Sequence, residues 1–391
     1  MLYVDNVPLQ GKKVLLRVDF NVPITNGEIQ DDSRIRAAIP TLKYITDQGG
    51  KLILCSHMGK PKGKFNQELS LKPVAFRLQE LLNREVAMAT DCIGDEVKSM
   101  LEDLQPGSIL LLENLRFHPG ETDNDPEFSR QLAELAEIYV NDAFGVVHRA
   151  HASVEGVTKH METVTAGFLI KQEMDYLQKA LKTPEHPYVL ISGGAKVSSK
   201  LGILNNMIDK VDRIIIGGGM ANTFRKAQGY GIGTSKTEDD LIEDARAIME
   251  KAKNNNISFY LPVDYLTGAD MQANQPNGVF PYQNVAEEDM ILDTGPATHT
   301  LFSEVLKNAK TVVWNGPMGA FENPTFSQGS VGLAQTVANL EATTIVGGGD
   351  TDSLLHNCGI ADQIDFISTG GGSFLEFLEG KELPGLKALE Q

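Results

Sequence analysis

Residues 343–350 read TTIVGGGD. An apolar run ends in three glycines, and an acidic residue then opens what reads as a helix. A run of this kind suits a strand buried on both faces of a parallel sheet. The pattern recurs outward from it, in YVLISGG (188–194), DRIIIGGG (212–219), TVVWNG (311–316) and DFISTGGG (365–372). SFYLPVDYL (258–266) reads as one further strand, and helices fill the intervals. The first half has the same rhythm. KKVLLRVDF (12–20), KLILCSH (51–57), EVAMAT (85–90), SILLLEN (108–114) and IYVNDAF (138–144) read as strands. Helices are predicted from Ser33 to about Gln48, from a Ser70 cap through Asn83, and over 95–104 and 125–136, the last opening with an Asp125 cap and Pro126. Residues 166–183 read as one long helix with no strand before it. Strands alternating with helices predict α/β architecture with parallel sheets.

The chain has 391 residues, enough for two or three domains at about 150 residues each. Lys and Arg number 35 against 52 Asp and Glu, so the formal charge is −17. That balance excludes a basic nucleic-acid binder or a polybasic membrane-surface protein. Cys55, Cys92 and Cys358 are widely spaced without a CxxC pair, so neither a disulfide framework nor a zinc site is predicted, and a reducing, cytoplasmic setting fits. No secretory leader is seen at the N-terminus, and no run is long and apolar enough for a membrane span.

In open α/β sheets ligands bind beyond the carboxyl ends of the strands. In the second half those ends carry Gly193-Gly194, Gly217 to Gly219, Gly347 to Gly349 and Gly370 to Gly372. Glycine admits close backbone approach, and a helix N-terminus offers free N–H groups to phosphate. Neither a G-x-x-x-x-G-K-[ST] loop nor a strand-following G-x-G-x-x-G is present, which disfavours P-loop and ordinary dinucleotide enzymes. Lys196 and Lys200, in GGAKVSSK, are expected one helical turn apart, suited to a polyphosphate. The first half instead concentrates cations at its strand ends: Arg17, Arg34, His57, Lys60, Arg116, His148, Arg149 and His151. An acidic protein that gathers Arg and His at one edge is built to receive a small polyanion. A nucleotide on one domain and a phosphorylated acid on the other point to phosphoryl transfer.

The segments RVDFNVP (17–23), DDSRIRAAIPT (31–41), SHMGKPKG (56–63), LLENLRFHPGE (111–121), YVNDAFGVVHRAHAS (139–153), GGAKVSSKL (193–201), IIIGGGMANTF (214–224), VVWNGPMGAFE (312–322), GGGDT (347–351) and ISTGGGSFLEFLEGKELPG (367–385) resemble the phosphoglycerate kinase family, in order and over essentially the whole chain. The resemblance implies two Rossmann-like domains with parallel sheets flanked by helices, joined by a long interdomain helix. Residues 1–165 would bind phosphoglycerate, 166–183 form the joining helix, 184–372 bind nucleotide, and 373–391 return to the N-terminal domain. It implies reversible transfer from 1,3-bisphosphoglycerate to MgADP, giving 3-phosphoglycerate and MgATP in glycolysis, in a monomer whose domains close on a hinge.

Residue by residue, the resemblance implies that Arg34 neutralises the moving phosphoryl group and that Gly371 and Gly372 present amides to it. Asp19, Phe20 and Asn21 would hold the glycerate, and His57, Met58, Gly59, Lys60, Arg116 and Arg149 would form the patch around its 3-phosphate. Lys196, Lys200, Asn315, Gly348, Gly349 and Thr351 would meet the nucleotide phosphates, Glu322 the ribose and Asp350 the Mg²⁺. The chain departs from the family pattern at Lys60, where Arg is usual, at Ser199 for Asp, at Ala297 for Lys, and at Asp352-Ser353. His118, His160, His186, His299 and His356 read as structural or solvated, Asp142 and Glu113 as orienting groups, and Trp314 as packing. A hinged binding protein for a phosphorylated acid, or a different acyl-phosphate kinase, are the competing readings.

Overall fold

The computed structural model describes residues 1–390. The chain divides into two compact units, Met1–Asp175 together with the chain from Glu382 onward, and Tyr176–Lys381. The division falls inside the helix Phe168–Lys182.

In the first unit six strands lie in the spatial order Val86–Met88, Ile109–Leu111, Lys51–Cys55, Lys13–Arg17, Ile138–Asn141 and Thr163–Ala166. Every neighbouring pair is parallel. Val14, Leu15, Leu16, Leu52, Ile53 and Leu54 have no exposed surface to speak of, as two covered faces require. The chain leaves Lys13–Arg17 toward one edge and returns on its other side as Ile138–Asn141. The switch point therefore lies where Arg17 and Asn141 end their strands. The helix 125–136 of the sequence reading is Pro126–Ala133, and Asp125 caps it by accepting from Phe128 N at 2.7 Å. Ser33 is the first residue of the helix Ser33–Asp47 rather than its cap. The long helix does have a strand before it: Thr163–Ala166 pairs with Ile138–Asn141. Four residues of alternating Thr and apolar character gave too weak a signal beside the helix that follows.

In the second unit the parallel order is Ser258–Tyr260, Arg213–Ile216, Tyr188–Ser192, Thr311–Asn315, Thr343–Gly347 and Phe366–Ser368. This is the doubly wound 3-2-1-4-5-6 order, and its switch point lies between Ser192 and Asn315. SFYLPVDYL is not one strand. It breaks at Leu261-Pro262-Val263, since proline cannot donate to a ladder. Asp264–Gly268 enters a separate antiparallel sheet with Gly278–Pro281 and Met290–Thr294. The helix Gly372–Leu378 also belongs to this unit, where Asn206 Nδ2 donates to Leu378 O at 2.6 Å. Only the chain from Glu382 lies with the first unit, where Gly385 N donates to Val147 O at 2.8 Å. Among the described residues, no helix is long and apolar enough to cross a membrane.

Two of the glycine clusters serve backbone packing. Gly193 N donates to Asn315 O, Gly194 N to Pro317 O and Gly218 N to Met318 O, all at 2.8 Å. A Cβ on Gly193 would lie 2.2 Å from Pro317 O and 2.4 Å from Gly316 O. Backbone atoms cannot yield as side chains do, so Gly193→Ala is expected to cost about 2–3 kcal/mol in urea unfolding. Gly349, with open space at its Cβ position, is expected to accept Ala within about 0.5 kcal/mol. Equal costs at the two sites would contradict this packing account.

Candidate active site

The switch point of the first unit is organised around Arg17, which is completely buried. Its Nε donates to Ser153 Oγ at 2.8 Å, its Nη1 to Val18 O, and its Nη2 meets His57 Nδ1 at 3.2 Å. Glu121, also fully buried, stands 3.9 Å from Nη2 and accepts from Ser153 N and Oγ. A guanidinium only donates, so His57 Nδ1 must accept, which leaves the proton on Nε2. Burial, then Arg17 and Arg116, hold the His57 pKa well below its ordinary value. His151 is pushed down to about 3 by burial and by Arg116 and Arg17.

Around this centre Asn114 clamps the 56–59 loop by accepting from Met58 N and donating to Met58 O. Arg116 Nη1 donates to Gly59 O at 2.7 Å, while its buried Nε has no partner among the described residues. Burial, then Arg17 and Arg149, lower the Arg116 pKa to about 10. Buried cations are normally paired. Here Arg17, Arg116 and two neutral imidazoles crowd one fully buried carboxylate, Glu121, with Asp19 3.9 Å from His57 and paired with the further cation Arg34, so the cluster is under-compensated and suits an anion. Arg34 reaches the rim, where Nη1 donates to Asp19 Oδ2 at 3.2 Å and to Asn21 O at 3.1 Å, with 37% of its side chain exposed. Asn21 Oδ1 accepts from Gly59 N at 2.9 Å.

Of the residues singled out by sequence, Asp19, Asn21, Arg34, His57, Gly59 and Arg116 are brought together in this network. Lys60 and Arg149 are exposed, and Arg149 Nε donates to His148 Nε2 at 3.1 Å. Phe20 and Met58 are buried in the hydrophobic core, so their side chains pack and offer no polar group. Sequence reasoning counted Arg17 among the cations at the strand ends but assigned it no role of its own, and it missed Glu121 and Ser153. Their partners are remote in the chain, and only the fold joins them.

In the second unit Lys200 is buried at the switch point and its Nζ donates to Asn315 Oδ1, while Asn315 Nδ2 donates to Gly347 O. Burial lowers the Lys200 pKa to about 8, against the opposing charges of Asp350 and Glu379. Lys196 and Lys200 are not on one helical face: the helix begins at Leu201, and Lys196 is exposed in the preceding loop. Gly347 ends its strand, and Gly348, at φ +103°, precedes the helix Gly349–Asn357. Asp350 is exposed in the first turn of that helix. Thr351 is fully buried, and its Oγ1 accepts from Gly316 N at 2.8 Å, which ties the two loops. Gly371, at φ +45° with open space at its Cβ position, precedes the helix that starts at Gly372. Glu322 is exposed. A polar cleft of about 610 Å³ lined by His299, Lys310 and Glu341 lies at the amino ends of the strands, the end that open sheets do not use for ligands.

The model of the family described as phosphoglycerate kinase matches residues 4–381. The chain belongs to the phosphoglycerate kinase family. The phosphoglycerate kinase of Geobacter sp. (strain M21) is 53% identical over 390 residues, covering 99% of this chain and 98% of its own. That of Maridesulfovibrio salexigens is 53% identical over 396 residues, with both chains fully covered. Among solved structures, phosphoglycerate kinase from Coxiella burnetii matches with a TM-score of 0.91 at 43% identity, covering 100% of this chain and 99% of that one. The Pyrococcus horikoshii enzyme matches with 0.85 at 29%, covering 100% and 98%. Family members are kinases that move a phosphoryl group to or from the carboxyl group of phosphoglycerate, and the chain is an enzyme of that kind.

The buried imidazoles make a direct test. In an assigned NMR titration, His57 and His151 are expected to keep neutral-form shifts from pH 8 down to about 5, with the variant His57→Asn identifying its own signal. A midpoint near 6.5 for either ring would contradict the burial described. The unfolded chain protonates both rings below about pH 6.5, so they weaken the fold as pH falls. Asp142 and Asp293, both raised to about 7 by burial, act oppositely, because the folded state keeps protons that unfolded carboxyls release above about pH 4.

Proposed function

We propose that the cation cluster of the first unit holds 3-phosphoglycerate or 1,3-bisphosphoglycerate and that the carboxyl end of the second sheet holds ADP or ATP. The reaction is the family's reversible phosphoryl transfer in glycolysis. The observation that carries the reading is Arg116, largely buried with an unpartnered Nε beside Arg17.

Arg116 and Arg149 would meet the 3-phosphate with Lys60 nearby, and the Nε2–H of His57 would donate beside them. Asp19 and Asn21 would orient the glycerate end. Phe20 and Met58 support these loops from the core. Arg34, held by Asp19 and by the Asn21 carbonyl, keeps donors free for the moving phosphoryl group. In the second unit Lys196 and Lys200 would face the nucleotide phosphates, with Asn315 fixing Lys200. The amides of Gly348 and Gly349 would hold phosphate, and Thr351 would secure the loop beneath. Glu322 would take the ribose hydroxyls, and Gly371 and Gly372 would offer amides to the transferring group.

The residues present fit Mg²⁺: Asp350 is an exposed hard oxygen donor on the glycine-led helix turn, and its charge already acts on Lys200. Bound with the nucleotide, the ion supplies charge neutralisation on the phosphates. The acceptor carboxylate is ionised at neutral pH, so no general base is required. Asp142 instead caps the long helix by accepting from Ile170 N at 3.1 Å. What the chain's own groups contribute is placement of the reactants and cationic stabilisation of developing charge. We further propose a cytoplasmic monomer. The free thiols suit a reducing compartment, and one chain supplies both clusters.

A coupled assay with 3-phosphoglycerate and MgATP is expected to show turnover, and folded protein without it would refute the reading. Arg34→Ala is expected to lower kcat by roughly 10²-fold or more, whereas a change confined to KM would make Arg34 a ground-state binder. Asp350→Ala is expected to weaken MgADP in calorimetry while leaving 3-phosphoglycerate affinity in place. Unchanged MgADP affinity would remove Asp350 from the metal role.

A further inference from the structure

Asp91, Cys92 and His118, in the first unit, take no part in the chemistry above. One ligand atom from each lies within 4.8 Å of the other two. His118 Nε2 stands 2.6 Å from Asp91 Oδ1. That same oxygen accepts from Cys92 N at 2.6 Å, and Asp91 O accepts from Glu113 N at 3.3 Å, so the turn is fixed. The His118 ring stacks on Phe128 with centroids 5.3 Å apart and planes 27° apart, which sets its orientation. Cys92 is fully buried, whereas the side chains of Asp91 and His118 are 48% and 30% exposed. Two ligands thus face solvent beside a sheltered sulfur.

We propose that Asp91, Cys92 and His118 form a binding site for a borderline-soft divalent cation of the Zn²⁺ type, completed by solvent. One carboxylate oxygen, one thiolate and one imidazole nitrogen are the donor classes such an ion takes, at about 2.0–2.3 Å. Ligands at about 2.0 Å on a tetrahedral ion stand roughly 3.3 Å apart. The 2.6 Å Asp91–His118 contact therefore opens by about 0.7 Å, to the roughly 3.3 Å ligand spacing, as the ion replaces the shared proton. His118 takes the tautomer protonated on Nδ1, the Cys92 thiol gives its proton to solvent, and the cation supplies the charge that proton carried. Mg²⁺ prefers an all-oxygen shell and does not compete for the sulfur.

Asp91 and Cys92 come from one loop and His118 from another, so the missing CxxC that argued against zinc in the sequence was blind to them. The site also has a structural consequence. His118 lies between Arg116, which holds Gly59, and Glu121, which holds Ser153. An ion there fixes the segment that carries two members of the phosphoglycerate network.

The test is a Co²⁺ titration of the reduced full-length protein in excess Mg²⁺. The expected result is one equivalent bound, with the visible bands of a four-coordinate site and a near-ultraviolet thiolate-to-cobalt band, both displaced by Zn²⁺. Loss of an outer-shell partner costs roughly 10–100-fold in metal affinity, so loss of a direct ligand in Cys92→Ser or His118→Gln is expected to cost at least about 100-fold. Cys92→Ser should also lose the thiolate band, and Cys358→Ser should keep it. Should Cys92→Ser fail to fold by circular dichroism, the more exposed His118→Gln carries the same comparison. Absence of a one-to-one complex in the unaltered protein overturns the proposal, as does undiminished affinity in folded His118→Gln.

Discussion

A guanidinium fully removed from water must be surrounded by acceptors, and Arg17 meets that condition in a way that builds the site. Its partners are Val18 beside it and His57, Ser153 and Glu121, which bring three separate loops to one strand end. Glu121 in turn fixes Ser153 through two hydrogen bonds. Removing one partner of a buried charge group generally costs more than the contact itself contributes, because the other is left unpaired. The 56–59, 114–121 and 148–153 loops are therefore held in register by a charge that need never touch a ligand. Arg34, Arg116 and Arg149 stand on that frame, where Asp19 faces Arg34 and both Glu121 and Asp19 act on Arg116.

The second unit solves a different problem. Its sheet follows the doubly wound order, yet the glycines at the Ser192–Asn315 switch point are spent on backbone packing. The approach of the 193–194, 217–219 and 316–318 segments leaves no room for a Cβ at Gly193, Gly217, Gly218 or Gly316. Glycines with open space at the Cβ position fall on the next two strand ends, at Gly349 and at Gly371. Lys200 joins the two regions. Its buried ammonium is oriented by Asn315, which also holds the carbonyl that ends the 343–347 strand.

Much of this was legible in the sequence, for physical reasons. Strands covered on both faces produce long apolar runs such as Leu52 to Leu54, so the parallel sheets could be read directly. The cations at strand ends were legible because Arg and His on an acidic chain stand out. What sequence hid was distance and purpose. Arg17 and Glu121 are far apart in the chain, and nothing local marks them as a buried pair. Thr351 has the right type for phosphate but spends its hydroxyl oxygen on Gly316. The glycine clusters looked alike, and only their neighbours distinguish backbone contact from open space. Pro262 did carry a signal, since it ends the run that otherwise resembles one strand.

We propose the under-compensated cations of the first unit as the seat of the phosphorylated acid. Calorimetry of 3-phosphoglycerate on the full chain and on Arg116→Gln tests it most directly. Loss of a charge-assisted contact predicts roughly 10- to 100-fold weaker 3-phosphoglycerate binding, with MgADP affinity unchanged. Undiminished 3-phosphoglycerate affinity in the folded variant would contradict the claim.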